Sequence, residues 1–337
     1  MPDPTGSQAR GTPAPGRMRA VRRDGAAVVC DAGTPRPVPD PARDALIAVR
    51  KVAINEIDRA VARGDLDARS VLGQAFVGTV ESAPTGRGFD RGSRVTALPD
   101  LACGACDLCR SGLSRHCRER RTLGLRDCDG CLAESVVVPV HGLVAIPARV
   151  DDDHAVFAMH VGAAVEASRR ITIEGKPYIT VLGDGVVGLI VVQVLARLNA
   201  SVRLIGWHPD RLALCEKWGI KHRHVDDIGR RADQDVVVDC SGRGAALEIA
   251  FGLARPRGTI LLHQAPHRDT PGLAPLVDHE LTLIGFGAGS LVEALRLLDR
   301  REVDVVSLVS RRIRLEDAPA ALRQPDRPEV IQVLVDV

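Results

Sequence analysis

Four cysteines, Cys103, Cys106, Cys109 and Cys117, fall within fifteen positions in the spacing C-x2-C-x2-C-x7-C. Thiolates at this spacing wrap a short loop round one ion, and tetrahedral all-cysteine ligation is a zinc arrangement. Four thiolates leave no position for water or substrate, so the expected zinc is structural, one per chain. Such a centre carries a double negative charge. Arg110, Arg115, Arg118, Arg120 and Arg121 lie nearby in sequence to offset it, unless they simply line a solvated loop.

A second constellation is Gly183-Asp184-Gly185-Val186-Val187-Gly188, which fits GxGxxG. It follows an apolar run and opens a helical one, the context in which the glycines allow a tight turn and a close approach to a dinucleotide pyrophosphate. Gly183, Gly185, Val186, Val187 and Gly188 are therefore the expected cofactor contacts. The next strand ends at Gly206-Trp207-His208, with no acid to hold a ribose 2′-hydroxyl. Lack of a carboxylate removes repulsion against a 2′-phosphate, and His208 or Arg211 offers positive charge there. NADP(H) is expected over NAD, although Arg211 also reads as an ordinary surface residue.

The remaining cysteines carry less chemistry. Cys128 and Cys131 flank Asp129-Gly130, a turn signal, and read as small turn residues or else as a redox or metal pair. Cys30, Cys215 and Cys240 read as packing residues.

These groups need two kinds of scaffold. From Met18 to about Pro147 the chain breaks into short strands (46–52, 76–81, 93–98, 135–139) separated by Gly, Pro and Asp. From about Asp151, apolar strands (178–182, 201–205, 235–239, 258–262, 280–284) alternate with helices (186–198, 211–218, 245–253). That alternation implies an α/β unit with a parallel sheet covered on both faces. The tail adds an amphipathic helix (291–298) and a last strand (330–335). Expected boundaries are a disordered extension 1–17, a β-rich unit 18–150, a nucleotide unit 151–288 and a returning tail 289–337. Met18 is a candidate alternative start.

Composition narrows the function classes. A net charge of +2 and 2% aromatic residues give neither the field nor the stacking surface for nucleic acid. The longest apolar run, 179–198, is broken by glycines, Asp184, Gln193 and Arg197, so no membrane span is expected. Residues 1–17 lack the apolar core of a secretory signal, which points to the cytoplasm, where thiols favour metal over disulfides.

The four-cysteine lobe and the glycine fingerprint, with Gly88-Phe89-x-x-Gly92-x-Arg94-Val95 and Asp239-Cys240-Ser241-Gly242, give the chain a family likeness. From Met18 to Val337 it resembles the zinc-containing alcohol dehydrogenases of the medium-chain dehydrogenase/reductase family. The resemblance implies a GroES-like catalytic domain, a Rossmann doubly wound parallel sheet, and a cleft between them for a small-molecule substrate. It also implies a homodimer or homotetramer.

The family's catalytic zinc is where this sequence departs. Its usual Gly-Ile-Cys-x-Thr-Asp is here Ala53-Ile54-Asn55-Glu56-Ile57-Asp58, and its Gly-His-Glu is Gly73-Gln74-Ala75. Met159, in Val156-Phe157-Ala158-Met159-His160, falls on the third ligand position. Amides and a thioether are poor zinc ligands beside thiolate, imidazole and carboxylate. No catalytic zinc is expected.

Acid–base help must then come from side chains. Tyr178 reads as core and Lys51 as exposed, which leaves Asp58 and His160, each with a structural reading as anchor or junction residue. Three functions follow. One is a zinc-independent NAD(P)H reductase in which Asn55 or Gln74 donates to a developing oxyanion. Another is a catalytically retired nucleotide-binding protein. The last is an alcohol dehydrogenase with a metal site rebuilt from Asp58 and His160.

Overall fold

The computed structural model describes residues 16–68, 70–172, 175–229, 231–264, 269–324 and 327–337. Of the expected extension 1–17, residues 1–15 lie outside the described residues. Arg17 does not belong to it: it opens a strand, opposite Pro35.

The first half is built on strands. β1 (Arg17–Asp24) and β2 (Ala27–Pro35) form a hairpin. β3 (Asp44–Ala53) then leads into α1 (Glu56–Arg63), and β4 (Ala75–Ser82) runs back antiparallel to β3. β5 (Arg94–Ala97) follows, then the zinc lobe with β6 (Asp100–Leu101), α2 (Asp107–Arg110) and β7 (Arg121–Thr122). β8 (Ser135–Pro139) pairs with β3 and β9 (Leu143–Ala145) with β5. Alternating burial along these strands fills one core with Ile47, Val52, Phe76, Leu72 and Leu132.

Two helices carry the chain across: α3 (Asp152–Ala155) and α4 (Ala158–Arg169). The second half alternates β10 (Tyr178–Leu182), α5 (Val186–Leu195), β11 (Ser201–Gly206), α6 (Pro209–Lys217), β12 (Lys221–His224), β13 (Gln234–Asp239), α7 (Gly244–Leu253) and β14 (Ala254–Leu262). α8 (Ala274–Asp278) and β15 (Thr282–Gly285) complete it. The parallel sheet has the order β12-β11-β10-β13-β14-β15. Relabelled from β10, that is 3-2-1-4-5-6, the doubly wound order that opens a ligand crevice where the strand order reverses.

α5 is apolar on all sides and buried on all sides. Its one polar interior residue, Gln193, is satisfied: Nε2 donates to the Leu189 and Asp304 carbonyls and Oε1 accepts from the Asp304 amide. After α9 (Leu291–Asp299) come β16 (Val309–Arg314), α10 (Ala318–Arg323) and β17 (Gln332–Asp336). β17 adds to the edge of β3, so the tail returns to the first sheet. The structure departs from the sequence reading in several elements: α8, β16 and α10 were not expected. β12 is the polar run KHRH, which carries no apolar signal, and the helix expected over 186–198 stops at Leu195.

Candidate active site

The zinc lobe comes first, because so little else holds it. α2 and the turn at Ser114–His116 bury no residue. The four sulfurs lie within 4.8 Å of one another, with Cys106–Cys109 at 3.5 Å, Cys106–Cys117 at 3.8 Å and Cys103–Cys109 at 3.9 Å. A zinc–sulfur bond of about 2.3 Å gives a tetrahedron edge of about 3.8 Å, so the set fits one zinc. Backbone amides of Cys103, Ala105 and Cys106 point at the sulfurs, at 3.3–3.5 Å, and favour thiolates. The Cys106 thiol is pulled down to about 6, first by the Cys109 backbone amide. The arginines are less free to offset charge than their spacing suggested. Arg118 pairs with Asp107, and Arg115 and Arg120 face Asp100.

The glycine turn is built for a ligand. Gly183 has φ +108, outside the range of ordinary side chains. A Cβ on Gly188 would land on the Gly183 carbonyl oxygen, whereas one on Gly185 would meet nothing within 4 Å. α5 has no side-chain cap, so the first-turn amides from Val186 to Gly188 stand ready for an anion. The residues present therefore fit a dinucleotide.

At the end of β11, Asp184 reaches across from the fingerprint. Its buried carboxylate accepts from the Trp207 and His208 amides at 2.8 and 2.7 Å and touches His208 Nδ1 at 3.0 Å. Gly206 makes room, since a Cβ there would lie 2.6 Å from Asp184. Arg211 touches the glycine turn, its guanidinium donating to the Asp184 carbonyl at 3.4 Å. The same guanidinium donates to the carbonyls of Pro328, Arg327 and Val330 and so pins the tail to α6. A further cation at this corner is Arg243, 5.4 Å over the Trp207 ring, which sequence reasoning missed. Only its position just after the Ser241-Gly242 turn hints at it.

Asn55 and Gln74, which the family resemblance aligns with two catalytic-zinc ligands, meet in the structure. Asn55 caps α1: Oδ1 accepts from the Asp58 amide at 3.0 Å, which turns Nδ2 towards Gln74 Oε1 at 3.2 Å. Gln74 Nε2 donates to the Leu123 carbonyl at 3.1 Å. Each amide nitrogen keeps a second hydrogen beyond these bonds. Met159 lies on α4, partly buried against the core. An amide–amide bond where two metal ligands would stand does not fit a second zinc. Among the described residues, the four cysteines are the one group of three or more such donors close enough to share a metal.

Asp58 is committed to the scaffold. Its carboxylate accepts from the Asn55 and Gly73 amides at 3.0 and 2.9 Å, closing a capping box and fixing the approach to Gln74. It does not join His160 in a metal site. Burial pushes its carboxyl up to about 7, against the pull of those two amides. The folded protein thus holds a proton that the unfolded chain releases near the ordinary carboxylate range. Asp58's contribution to stability is full below about pH 4 and is lost as pH rises through 7. Relative to Asp58→Asn, the wild type is expected to lose roughly 4 kcal/mol between those limits by denaturant titration; a pH-independent difference would refute this.

His160, on α4, is 4% exposed and burial lowers its imidazole to about 4. It stands apart from the amide pair's hydrogen bonds, beside Phe157, with ring centroids at 6.0 Å. Tyr178 is not core. It sits at the start of β10, the opposite end from the glycine turn, and is 58% exposed. Lys51 is not exposed: it is buried between Asp153 and Asp336.

Fold and site define a two-domain, nucleotide-dependent oxidoreductase with one four-cysteine zinc lobe. Residues 41–148 match the alcohol dehydrogenase GroES-like domain and residues 186–301 the zinc-binding dehydrogenase domain. The chain is 28% identical over 313 residues to an L-threonine 3-dehydrogenase of Chelativorans sp., covering 86% of this chain and 90% of that protein. A sorbitol dehydrogenase of Halalkalibacterium halodurans is 26% identical, over 78% of this chain and 82% of its own. A zinc-binding dehydrogenase of Sinorhizobium meliloti 1021, solved with NADP, superposes with a TM-score of 0.84 at 27% identity, covering 95% and 99% of the two chains. The alcohol dehydrogenase TADH of Thermus sp. ATN1 gives 0.84 at 26%, covering 95% and 100%. The chain belongs to the zinc-type medium-chain dehydrogenase family and is an NAD(P)-dependent oxidoreductase. No helix among the described residues is long and apolar enough to cross a membrane.

Proposed function

We propose that the protein is a reductase of small carbonyl or conjugated compounds that works without a catalytic zinc and prefers NADP(H). The observation that carries this reading is the Asn55–Gln74 amide pair standing at the family's metal position. The bound nicotinamide supplies the hydride. Asn55 and Gln74 use their second amide hydrogens to hold the substrate oxygen and stabilise its growing negative charge. The α1 cap keeps Asn55 from rotating, so the donor is set before substrate arrives. Asp58 acts here only by positioning Asn55 and Gly73.

Preference for NADP(H) is supported by Arg243 over Trp207 and by the burial of the Asp184 carboxylate under backbone amides. The NADP in the Sinorhizobium meliloti relative agrees with it. The test is turnover of aldehydes, quinones and enones with NADPH and with NADH. Asn55→Leu is expected to lower kcat by about 100-fold, the usual cost of losing one such donor. Cofactor binding without turnover of any of these classes would sink the reductase reading. Faster turnover with NADH would sink the NADP(H) preference.

A homodimer joined along the edge of the parallel sheet is supported by β15, an edge strand with Leu283 exposed, and by the exposed Val277 on α8. Light scattering is expected to give twice the chain mass, and the mass of one chain would overturn it. A cytoplasmic location is consistent with all nine cysteines being free thiols. Recovery of the protein outside the cytoplasmic fraction would count against it.

A further inference from the structure

Three side chains from three parts of the fold meet at the ligand edge of the parallel sheet with polar atoms that no protein group satisfies. His263 follows β14 at its C-terminal end and lies against Phe286, with ring centroids at 5.1 Å. The next residue, Gly287, is covered by Arg115, reaching over from the zinc lobe. A Cβ on Gly287 would lie 2.5 Å from both terminal guanidinium nitrogens, so glycine leaves the room that Arg115 occupies there. α4 closes the third side: the Cβ position of Gly162 lies 3.3 Å from the Gly289 carbonyl oxygen, two residues past His160.

Each of the three has one buried nitrogen that no protein group hydrogen-bonds, although Arg115 keeps a longer ion contact with Asp100. His160 and His263 each bury an Nδ1 without a hydrogen-bond partner, and so does the Arg115 Nε. The Asp100 carboxylate stands 3.6 Å from that Nε, too far for a hydrogen bond. Buried polar nitrogens left unpaired cost free energy unless a ligand completes them.

We propose that Arg115, His160 and His263 form a subsite for an anionic group on the substrate, a carboxylate or a phosphate apart from the carbonyl that is reduced. A guanidinium presents a planar fork that matches either group. Burial lowers both imidazoles to about 4, so each is neutral near pH 7, offers one N–H and does not repel Arg115. Phe157 lies against His160 and Phe286 against His263, apolar neighbours that lower the local dielectric and strengthen an ion contact there. The zinc lobe thereby gains a role in specificity, because it carries the one full positive charge of the three.

This inference rests on the reductase reading for its substrate but can fail separately. Calorimetry on the NADP-loaded protein would titrate benzoate and inorganic phosphate. Wild type is expected to bind at least one of them. Tighter benzoate means a carboxylate substrate, and tighter phosphate a phosphate ester. Arg115→Gln and His263→Asn should each weaken that anion at least about tenfold while NADP affinity holds. Arg115→Lys, which keeps the charge but loses the fork, should fold as wild type and bind the anion at least about threefold less tightly. In turnover, the preference for 4-carboxybenzaldehyde over its methyl ester should fall at least about tenfold in Arg115→Gln. The subsite is overturned if neither anion binds, or if the Arg115 variants keep wild-type affinity. It is equally overturned if they weaken NADP as much as the anion, which would assign Arg115 to the cofactor. If anion binding fails in the variants as expected but no aldehyde turns over in wild type, the subsite stands and the reductase reading falls.

Discussion

Cys106→Ser is expected to release the zinc, taking metal content by atomic emission from about one per chain to near zero. It should also lower the thermal midpoint by roughly 10 °C. The size follows from how little else holds the lobe. α2 and the neighbouring turn bury no side chain, and the strands β6 and β7 are two residues each. In such a segment the metal stands in for a core, and its binding free energy is folding free energy. Loss of a few kcal/mol in a chain of this size shifts the midpoint by a few degrees per kcal/mol. The glycine turn lies in another sheet, so NADP binding is expected to persist in the variant. Arg115 sits between Cys109 and Cys117, so the anion contact is expected to go with the metal. A variant that keeps one zinc per chain would show that the four cysteines do not ligate as a set.

Features governed by local pattern were legible in the sequence, and those governed by the meeting of distant segments were not. The apolar runs at 178–182 and 235–239 became central strands because only a doubly covered sheet buries such runs on both faces. The cysteine spacing and the glycine turn were equally plain, each being short and self-contained. β12 was invisible, because an edge strand of Lys, His, Arg and His has no burial signal to read. Arg211 was only half legible for a related reason. Its place in sequence beside the nucleotide edge says nothing of the tail that returns, more than a hundred residues later, to take up its donors. Arg115 and His263 are 148 positions apart and meet only once both sheets have formed. Periodicity reports which face of an element is covered, not what covers it.

The amide pair, at the position the family resemblance gives to a catalytic zinc, is held by its own scaffold. Asn55 caps a helix, and Asp58 answers it in a capping box. The same two residues thus stabilise α1 and orient the donor. The Asn55 amide is bonded on both sides, its oxygen to the Asp58 amide and its nitrogen to Gln74.

The glycine fingerprint permits a sharper test than deleting it, since its three glycines serve different ends. Gly183 takes a positive φ, and Gly188 gives up its Cβ so that α5 can pack against the turn. Substituting either is expected to disturb the fold and the site together. Gly185 differs: its φ of −76 suits any residue, and a Cβ there meets no protein atom within 4 Å. Its missing side chain matters only if something else must approach the backbone. Gly185→Ala is therefore expected to leave the thermal midpoint of the cofactor-free protein within about 2 °C of wild type. In the same variant NADPH affinity should fall by about 100-fold, roughly 2.7 kcal/mol, because the methyl group stands where the pyrophosphate meets the first-turn amides. Gly188→Ala should lose both stability and affinity. Calorimetric titration of NADPH into each variant, beside thermal melts without cofactor, separates the two. Wild-type affinity in Gly185→Ala would mean that the nucleotide does not lie over this turn, and the open space above Gly185 would need another occupant.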